Sequence, residues 1–244
     1  MPMLKEPARL DMSRMSGRDV WVFDLDNTLY PAGCNLFAEI DTRITDFVAR
    51  YTGLDRAEAR ALQKQYYAEH GTTLKGLMSE HGMAPEEFLA HVHEIDLSPL
   101  PILPDLCDAI QALPGRKLVY TNGSRRHAEQ VTDYMKLAGS FDGLFGIEDA
   151  LFAPKPAQEA YEAFCKHHDV NPLRAVFFED MARNLAPAHA MGFATVLVSS
   201  EKDWSHEPIE ARPAGPEDAQ LPYIDYLTGD LTAFLQRVIR GLKP

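Results

Sequence analysis

Basic residues are scarce in this chain. Its 244 residues carry 24 Lys and Arg against 36 Asp and Glu, a formal net charge of -12. No cationic field is available to draw a phosphate backbone or an anionic lipid surface, which excludes nucleic-acid polymers and membranes as general partners. A small phosphorylated ligand remains open, because a few basic groups and a divalent cation reverse the sign locally. Cysteine is also rare. Cys34, Cys107 and Cys165 show no paired spacing and no Cys-x-x-Cys, so a disulfide framework is excluded and free thiols in a reducing compartment are expected. His81, His91 and His93 do not form a zinc spacing. No run is long or apolar enough to span a bilayer. Met1 to Arg18 mixes Pro, Lys, Glu, Arg and Asp without the apolar core of a signal peptide, so the cytoplasm is the expected setting.

Hydrophobic residues make up 45% of the chain, which suits one medium core plus a small second module. Val20-Trp21-Val22-Phe23 reads as a first strand. Asn27 to Asn35, with Pro31 and Gly33, is a turn or short flap. From Leu36 the period changes. Phe37, Ile40, Ile44, Phe47 and Val48 recur at spacings of three and four, the period of a helix. Helical patterning continues over Asp55 to Tyr67, Thr72 to His81, and from Pro85 through Phe88, Leu89 and Val92.

Pro99, Pro101 and Pro104 mark a return to a different pattern. Helices are expected over Asp105 to Leu113, Arg126 to Leu137, Gln158 to His168 and Leu185 to Met191. Strands are expected at Lys117 to Tyr120, Leu144 to Ile147, Ala175 to Phe178 and Ala194 to Val198. This alternation predicts an α/β fold, a mostly parallel sheet with helices on both faces. Residues 36–99 form an inserted all-helical cap, and 18–35 with 100–244 form the catalytic core. Ser199 to Tyr223 reads as a surface excursion, and Asp230 to Ile239 as an amphipathic helix that covers the sheet.

The chemistry begins at Asp24-Leu25-Asp26-Asn27-Thr28, directly after the first strand. In an open α/β sheet, ligands bind at the carboxyl ends of the strands. Asp24 is the candidate nucleophile, since a carboxylate can attack phosphorus and form an aspartyl-phosphate. Asp26 is placed to protonate the leaving oxygen and then to deprotonate water. Two anions must approach each other, which calls for a hard cation such as Mg²⁺. Thr121-Asn122-Gly123 follows the second core strand, where a hydroxyl and backbone N–H groups can cradle phosphoryl oxygens. Lys155, between Pro154 and Pro156, offers an ammonium to neutralise nucleophile and phosphoryl group. Glu179-Asp180, two adjacent acids at a strand end, are costly without a compensating cation. One or both are expected to complete the metal site with Asp24, the Asp26 main-chain carbonyl and waters. Asn184 supports that acidic loop.

This four-part order, Asp24 to Thr28, Thr121-Asn122, Lys155, and Glu179-Asp180 with Asn184, resembles the haloacid dehalogenase-like superfamily of phosphatases, over nearly the whole chain. The resemblance implies a Rossmann-like core, Mg²⁺ and an aspartyl-phosphate intermediate. True dehalogenases of that family lack the second acid, and Asp26 is present here, so dehalogenation is disfavoured. Within the branch with a helical cap, Phe23 to Pro31 and Thr121-Asn122-Gly123 followed by His127-Ala128 look closest to pyrimidine 5'-nucleotidases. Glu179-Asp180 departs from the two Asp usual in that last motif.

The implied partner is a small phosphorylated metabolite, with a nucleoside monophosphate as the first expectation. Other phosphomonoesters, such as sugar or vitamin phosphates, are the alternative, and a sugar-phosphate mutase ranks below them. Specificity should lie in the cap and flap. Tyr30 and Arg125 are candidate substrate contacts beside Asn122 and Gly123. Tyr66 and Tyr67 are adjacent on a helix and cannot both face inward. Phe37 fits the cap core by its spacing.

Overall fold

A computed structural model describes residues 13–200, 202, 204, 212–213 and 215–242. Six parallel strands form one sheet: β1 (Val20–Phe23), β2 (Arg116–Tyr120), β3 (Gly143–Phe145), β4 (Ala175–Glu179), β5 (Ala194–Val198) and β6 (Tyr226–Thr228). Their order is β3-β2-β1-β4-β5-β6. The first strand therefore lies centrally, pairing β2 on one side and β4 on the other, with Phe23 opposite both Val119 and Phe178. The chain leaves β1 toward one half of the sheet and later fills the other half. The crevice for a ligand opens at such a reversal.

Alternation along the strands sorts side chains to two cores. Trp21 and Phe23 of β1 and Val176 and Phe178 of β4 face one layer. There they pack with Leu106 and Ile110 of α5 (Pro104–Ala112), Val131 of α6 (Arg125–Tyr134) and Phe234 and Leu235 of α9 (Leu231–Leu242). Val20, Val22, Ala175 and Phe177 face the opposite layer. Their partners are Tyr161 and Phe164 of α7 (Gln158–His168) and Leu185 and Ala188 of α8 (Ala182–Met191). The Rossmann-like, mostly parallel arrangement with helices on both faces is thus as expected.

Four helices stand between β1 and α5: α1 (Leu36–Thr52), α2 (Arg56–His70), α3 (Thr73–His81) and α4 (Pro85–Val92). Phe47, Val48, Ala59, Tyr66, Leu74, Leu77, Phe88 and Val92 give these cap helices a core of their own. Local signals mark their ends. Asp55 accepts from the main-chain nitrogens of Ala57 and Glu58 while Glu58 reaches back to Asp55, a reciprocal cap at the start of α2. Proline opens α4. Where α3 folds onto α2, a Cβ on Gly76 would stand 2.4 Å from the Tyr66 ring, so only glycine permits the approach.

Three differences from the expected elements have local causes. The strand expected at Leu144 to Ile147 ends at Phe145, because the Asp149 carboxylate captures the Gly146 N–H at 2.9 Å and turns the chain. The helix expected to Leu137 ends at Tyr134, and Lys136 adopts φ 63°. Tyr226–Thr228, to which the sequence pattern assigned no element, adds to the sheet edge beside β5. Only parts of the excursion at 199–223 lie within the described residues.

Candidate active site

Asp24 extends β1, its N–H bonded to Phe178 O at 2.9 Å. The chain turns at once: Leu29 N–H returns to Leu25 O, and Asn27 holds φ 60°. That left-handed conformation suits Asn or Gly and penalises most other residues. The turn directs Asp24 and Asp26 to the mouth of the crevice, while Asn27 donates to Asp180 Oδ2 at 3.3 Å.

Lys155 binds the pieces together. Its Nζ donates to Asp24 Oδ1 and to Glu179 Oε2, each at 2.7 Å, and to Tyr120 O at 3.0 Å. All three ammonium protons are used, and Nζ lies 5.0 and 5.2 Å from the Tyr120 and Phe177 ring centroids. Asn122 fixes the lysine's main chain in both directions. Its Oδ1 accepts from Lys155 N–H at 2.8 Å and its amide donates to Lys155 O at 3.1 Å. Thr121 is buried, and its Oγ1 accepts from Gly123 N–H at 2.9 Å.

Asp24, Glu179 and Asp180 converge, with one oxygen from each lying within 4.8 Å of the others. Three buried carboxylates face one ammonium. Burial and the neighbouring Glu179 raise the Asp24 carboxyl to about 8 despite Lys155. Burial, Glu179 and Asp24 push Asp180 well above the carboxylate range. For Lys155 burial acts downward, but Asp24 and Glu179 prevail and hold its ammonium above the usual lysine value. The imbalance, in an all-oxygen donor set, is that of a divalent-cation site. Asn184 lines the same pocket, and its Oδ1 is buried with no hydrogen-bond partner among the described residues, an acceptor that a hydrated cation would satisfy.

The Asp26 side chain is held apart from this cluster. Its Oδ1 accepts from His127 Nε2 at 2.9 Å and from the Tyr30 hydroxyl at 2.5 Å. Burial pushes this carboxyl up, but His127, Tyr30 and His93 outweigh it and keep it below the ordinary value. Of the four expected metal residues, the side chains of Asp24, Glu179 and Asp180 meet and that of Asp26 does not. The atom expected from Asp26 was its main-chain carbonyl, a separate group.

A cavity of about 730 Å³ opens above these residues, lined by Asp24, Asp26, Asn122, Gly123 and Lys155 below and by cap residues above. Tyr67 faces it, while Tyr66 is buried in the cap core with its hydroxyl 2.8 Å from His81 Nε2. Phe37 lines the cavity instead of the cap core. Tyr30, expected to meet substrate, is buried behind Asp26 and outside the lining. Arg125, expected to do the same, donates through Nη2 to both Asp149 carboxylate oxygens at 2.8 Å. His127, named from the sequence only in the subgroup resemblance and given no role at the site, is fully buried against Asp26. Among the described residues no helix is long and apolar enough to cross a membrane.

A fold with a central β1, an acidic strand-end cluster and a buried lysine defines a hydrolase class, and the family comparison agrees. The chain belongs to the haloacid dehalogenase-like hydrolases, whose family model matches residues 19–192. It is similar to Phosphate metabolism protein 8 of Saccharomyces cerevisiae, 28% identical over 210 residues, covering 78% of this chain and 64% of that protein. It also matches Enolase-phosphatase E1 of Frankia alni, 40% identical over 86 residues, 34% of this chain and 36% of that one. The chain thus spans less than two thirds of either relative's length. Among solved structures, a HAD phosphatase from Thermococcus onnurineus shares the fold with a TM-score of 0.60 at 17% identity, over 91% of this chain and 98% of that one.

Proposed function

We propose that this protein is a Mg²⁺-dependent phosphatase acting through an aspartyl-phosphate, with pyrimidine nucleoside 5'-monophosphates as substrates. The observation that carries the reading is Lys155 Nζ, 2.7 Å from both Asp24 and Glu179. The buried ammonium there opposes the burial and the Glu179 charge that favour the protonated Asp24 acid, and a bound cation would complete that neutralisation so that Asp24 attacks as a carboxylate. Asp24 attacks phosphorus, the ester P–O bond breaks, and the leaving oxygen takes the proton of the Asp26 carboxyl. Entry of a phosphate anion beside Asp26 raises its affinity for that proton. Asp26, now a carboxylate, takes a proton from water, whose oxygen displaces Asp24 from phosphorus and releases inorganic phosphate. The Thr121 hydroxyl and the Asn122 main-chain N–H cradle the phosphoryl oxygens.

Mg²⁺, when bound by Asp24, Asp180, Glu179 and the Asp26 carbonyl, neutralises the phosphoryl charge so that two anions can meet. Both Glu179 oxygens are already engaged, by Lys155 and by Met181 N–H at 3.1 Å. This favours Asp180 over Glu179 as the direct ligand. Residues 36–99 act as a lid over the core formed by 18–35 and 100–244. The cavity lies within the range of small-molecule sites, roughly 300–1,000 Å³, and Tyr67 and Phe37 offer flat faces for a base.

Another small phosphoester is the second reading. It is favoured by Arg60 and Lys64, which line the cap wall around Asp41 and suit a distal anionic group. The test is phosphate release with and without Mg²⁺ from UMP, CMP, their deoxy forms, purine monophosphates, sugar phosphates and vitamin phosphates. Metal-dependent preference for the pyrimidine esters supports the first reading. Turnover confined to another ester replaces it, and no turnover on the whole panel overturns the phosphatase.

A further inference from the structure

Asp26 is tethered on one side only. Oδ1 accepts both the His127 Nε2 and Tyr30 bonds, which saturates that oxygen. Oδ2 points the other way, 3.7 Å from where a Cβ on Gly123 would sit. It therefore faces the Thr121–Gly123 loop and the open cavity. Two neighbours, Ser124 and His93, hold His127 in place. Its main-chain N–H donates to Ser124 Oγ at 3.1 Å, as the third residue of α6. The His93 ring stacks on it at 4.4 Å and 11°. Ser124 Oγ also lies 3.0 Å from His93 Nδ1. Ser124 thus bonds both to the His127 main chain and to the His93 ring. Burial and His127 lower His93 to about 3. His93 closes α4 at the end of the cap and also lines the cavity.

We propose that His127 is a positioning residue for phosphoryl transfer: with Tyr30 it clamps Asp26 by Oδ1, so that Oδ2 alone is presented to the leaving oxygen. The inference rests on the reading of Asp26 as the acid of the site. The clamp explains why a buried histidine and a buried tyrosine share one carboxylate oxygen, and why neither lines the cavity. A free carboxylate would rotate about its own bonds and offer either oxygen. A clamped one delivers its proton along a single direction, and positioned proton transfer is most valuable to substrates that leave poorly.

The experiment compares His127→Gln with the parent protein on an alkyl phosphate and on p-nitrophenyl phosphate, both with Mg²⁺, reading kcat/KM, which reports steps through breakage of the ester bond. The glutamine keeps a donor but loses the stack on His93. For the alkyl ester kcat/KM should fall roughly 10- to 100-fold, and for the aryl ester, whose leaving group needs no proton, less than about threefold. In an Asp26→Asn background the same substitution should add little further loss. Tyr30→Phe removes the other tether and should reproduce the alkyl-selective loss, which keeps the test in hand if His127→Gln does not fold. Equal losses on both esters, no loss on either, or a full loss persisting without Asp26 would each overturn the clamp. Failure of the parent protein to hydrolyse either ester would instead remove the phosphatase reading, and the clamp with it.

Discussion

Lys155 Nζ and Glu179 Oε2 stand 2.7 Å apart with both side chains about 1% exposed. The pair does not meet solvent, and the same ammonium also holds Asp24. Removing it would leave three acids in a buried corner with no protein cation among them. Lys155→Met should therefore cost about 3–5 kcal/mol of stability in metal-free protein and suppress turnover. Urea unfolding with EDTA present measures the first, and phosphate release the second. A stability change within about 0.5 kcal/mol, typical of an exposed site, would contradict the buried arrangement.

The pH dependence of stability has a defined sign. Asp24 rises from 3.8 to about 8 on folding, and Asp180 rises as well. A carboxyl with a raised folded pKa binds more protons in the native state, so its contribution is full below the unfolded value and is lost as pH rises through the folded one. His93, lowered from 6.5 to about 3, and His168, lowered to about 4 by burial and His167, act in the opposite sense below pH 6.5. The clean window is therefore pH 7 to 8. In EDTA the urea midpoint should fall across it, and saturating Mg²⁺ should flatten the slope. A midpoint that rises across the window in EDTA refutes the raised acids.

Asp24→Asn removes the nucleophile and one of the crowded charges together. Turnover should fall by at least roughly 10³-fold. The metal-free variant at pH 8 should be no less stable than the parent and should show a shallower pH slope. Full activity in this variant would remove the covalent mechanism.

Asn184 provides a prediction with two opposite signs. Its Oδ1 is buried and unpartnered, so Asn184→Leu, of similar size, should leave metal-free stability unchanged or improved. The Mg²⁺ concentration for half-maximal activity should rise about tenfold. Loss of stability with unchanged metal response would make Asn184 a packing residue only.

The parts of the site that follow strands were legible in the sequence. An apolar run followed by Asp24-Leu25-Asp26, another followed by Thr121-Asn122-Gly123, and a third followed by Glu179-Asp180 must all open on the same sheet edge once the strands are parallel. The Lys155 ammonium beside the nucleophile Asp24 was anticipated, but its second pairing with Glu179 was not, because Glu179 was read with Asp180 as a metal ligand. His127 was hidden for a different reason. At the third position of a helix, after Arg125 and Arg126, it has the pattern of a basic helix surface. Only the packing of α6 against the turn after β1 shows that it is enclosed. Tyr30 and Phe37 were misplaced because spacing gives a direction along one helix or turn. What stands opposite depends on a cap that returns from elsewhere in the chain.

The position of the cap helices bears on how the molecule assembles. Val20 pairs with Arg116 in the centre of the sheet, with α1 to α4 entirely between them. Joining those strands closes the longest early loop in the chain, at an entropic cost that grows with its length. Within that loop, α1 meets α2, and α2 meets α3, through contacts between neighbours in sequence. Helical contacts of that kind form on faster timescales than distant strand pairing. A cap already compact when β2 emerges shortens the effective tether between β1 and β2. The insertion that covers the crevice in the finished protein then also brings together the two strands that flank it.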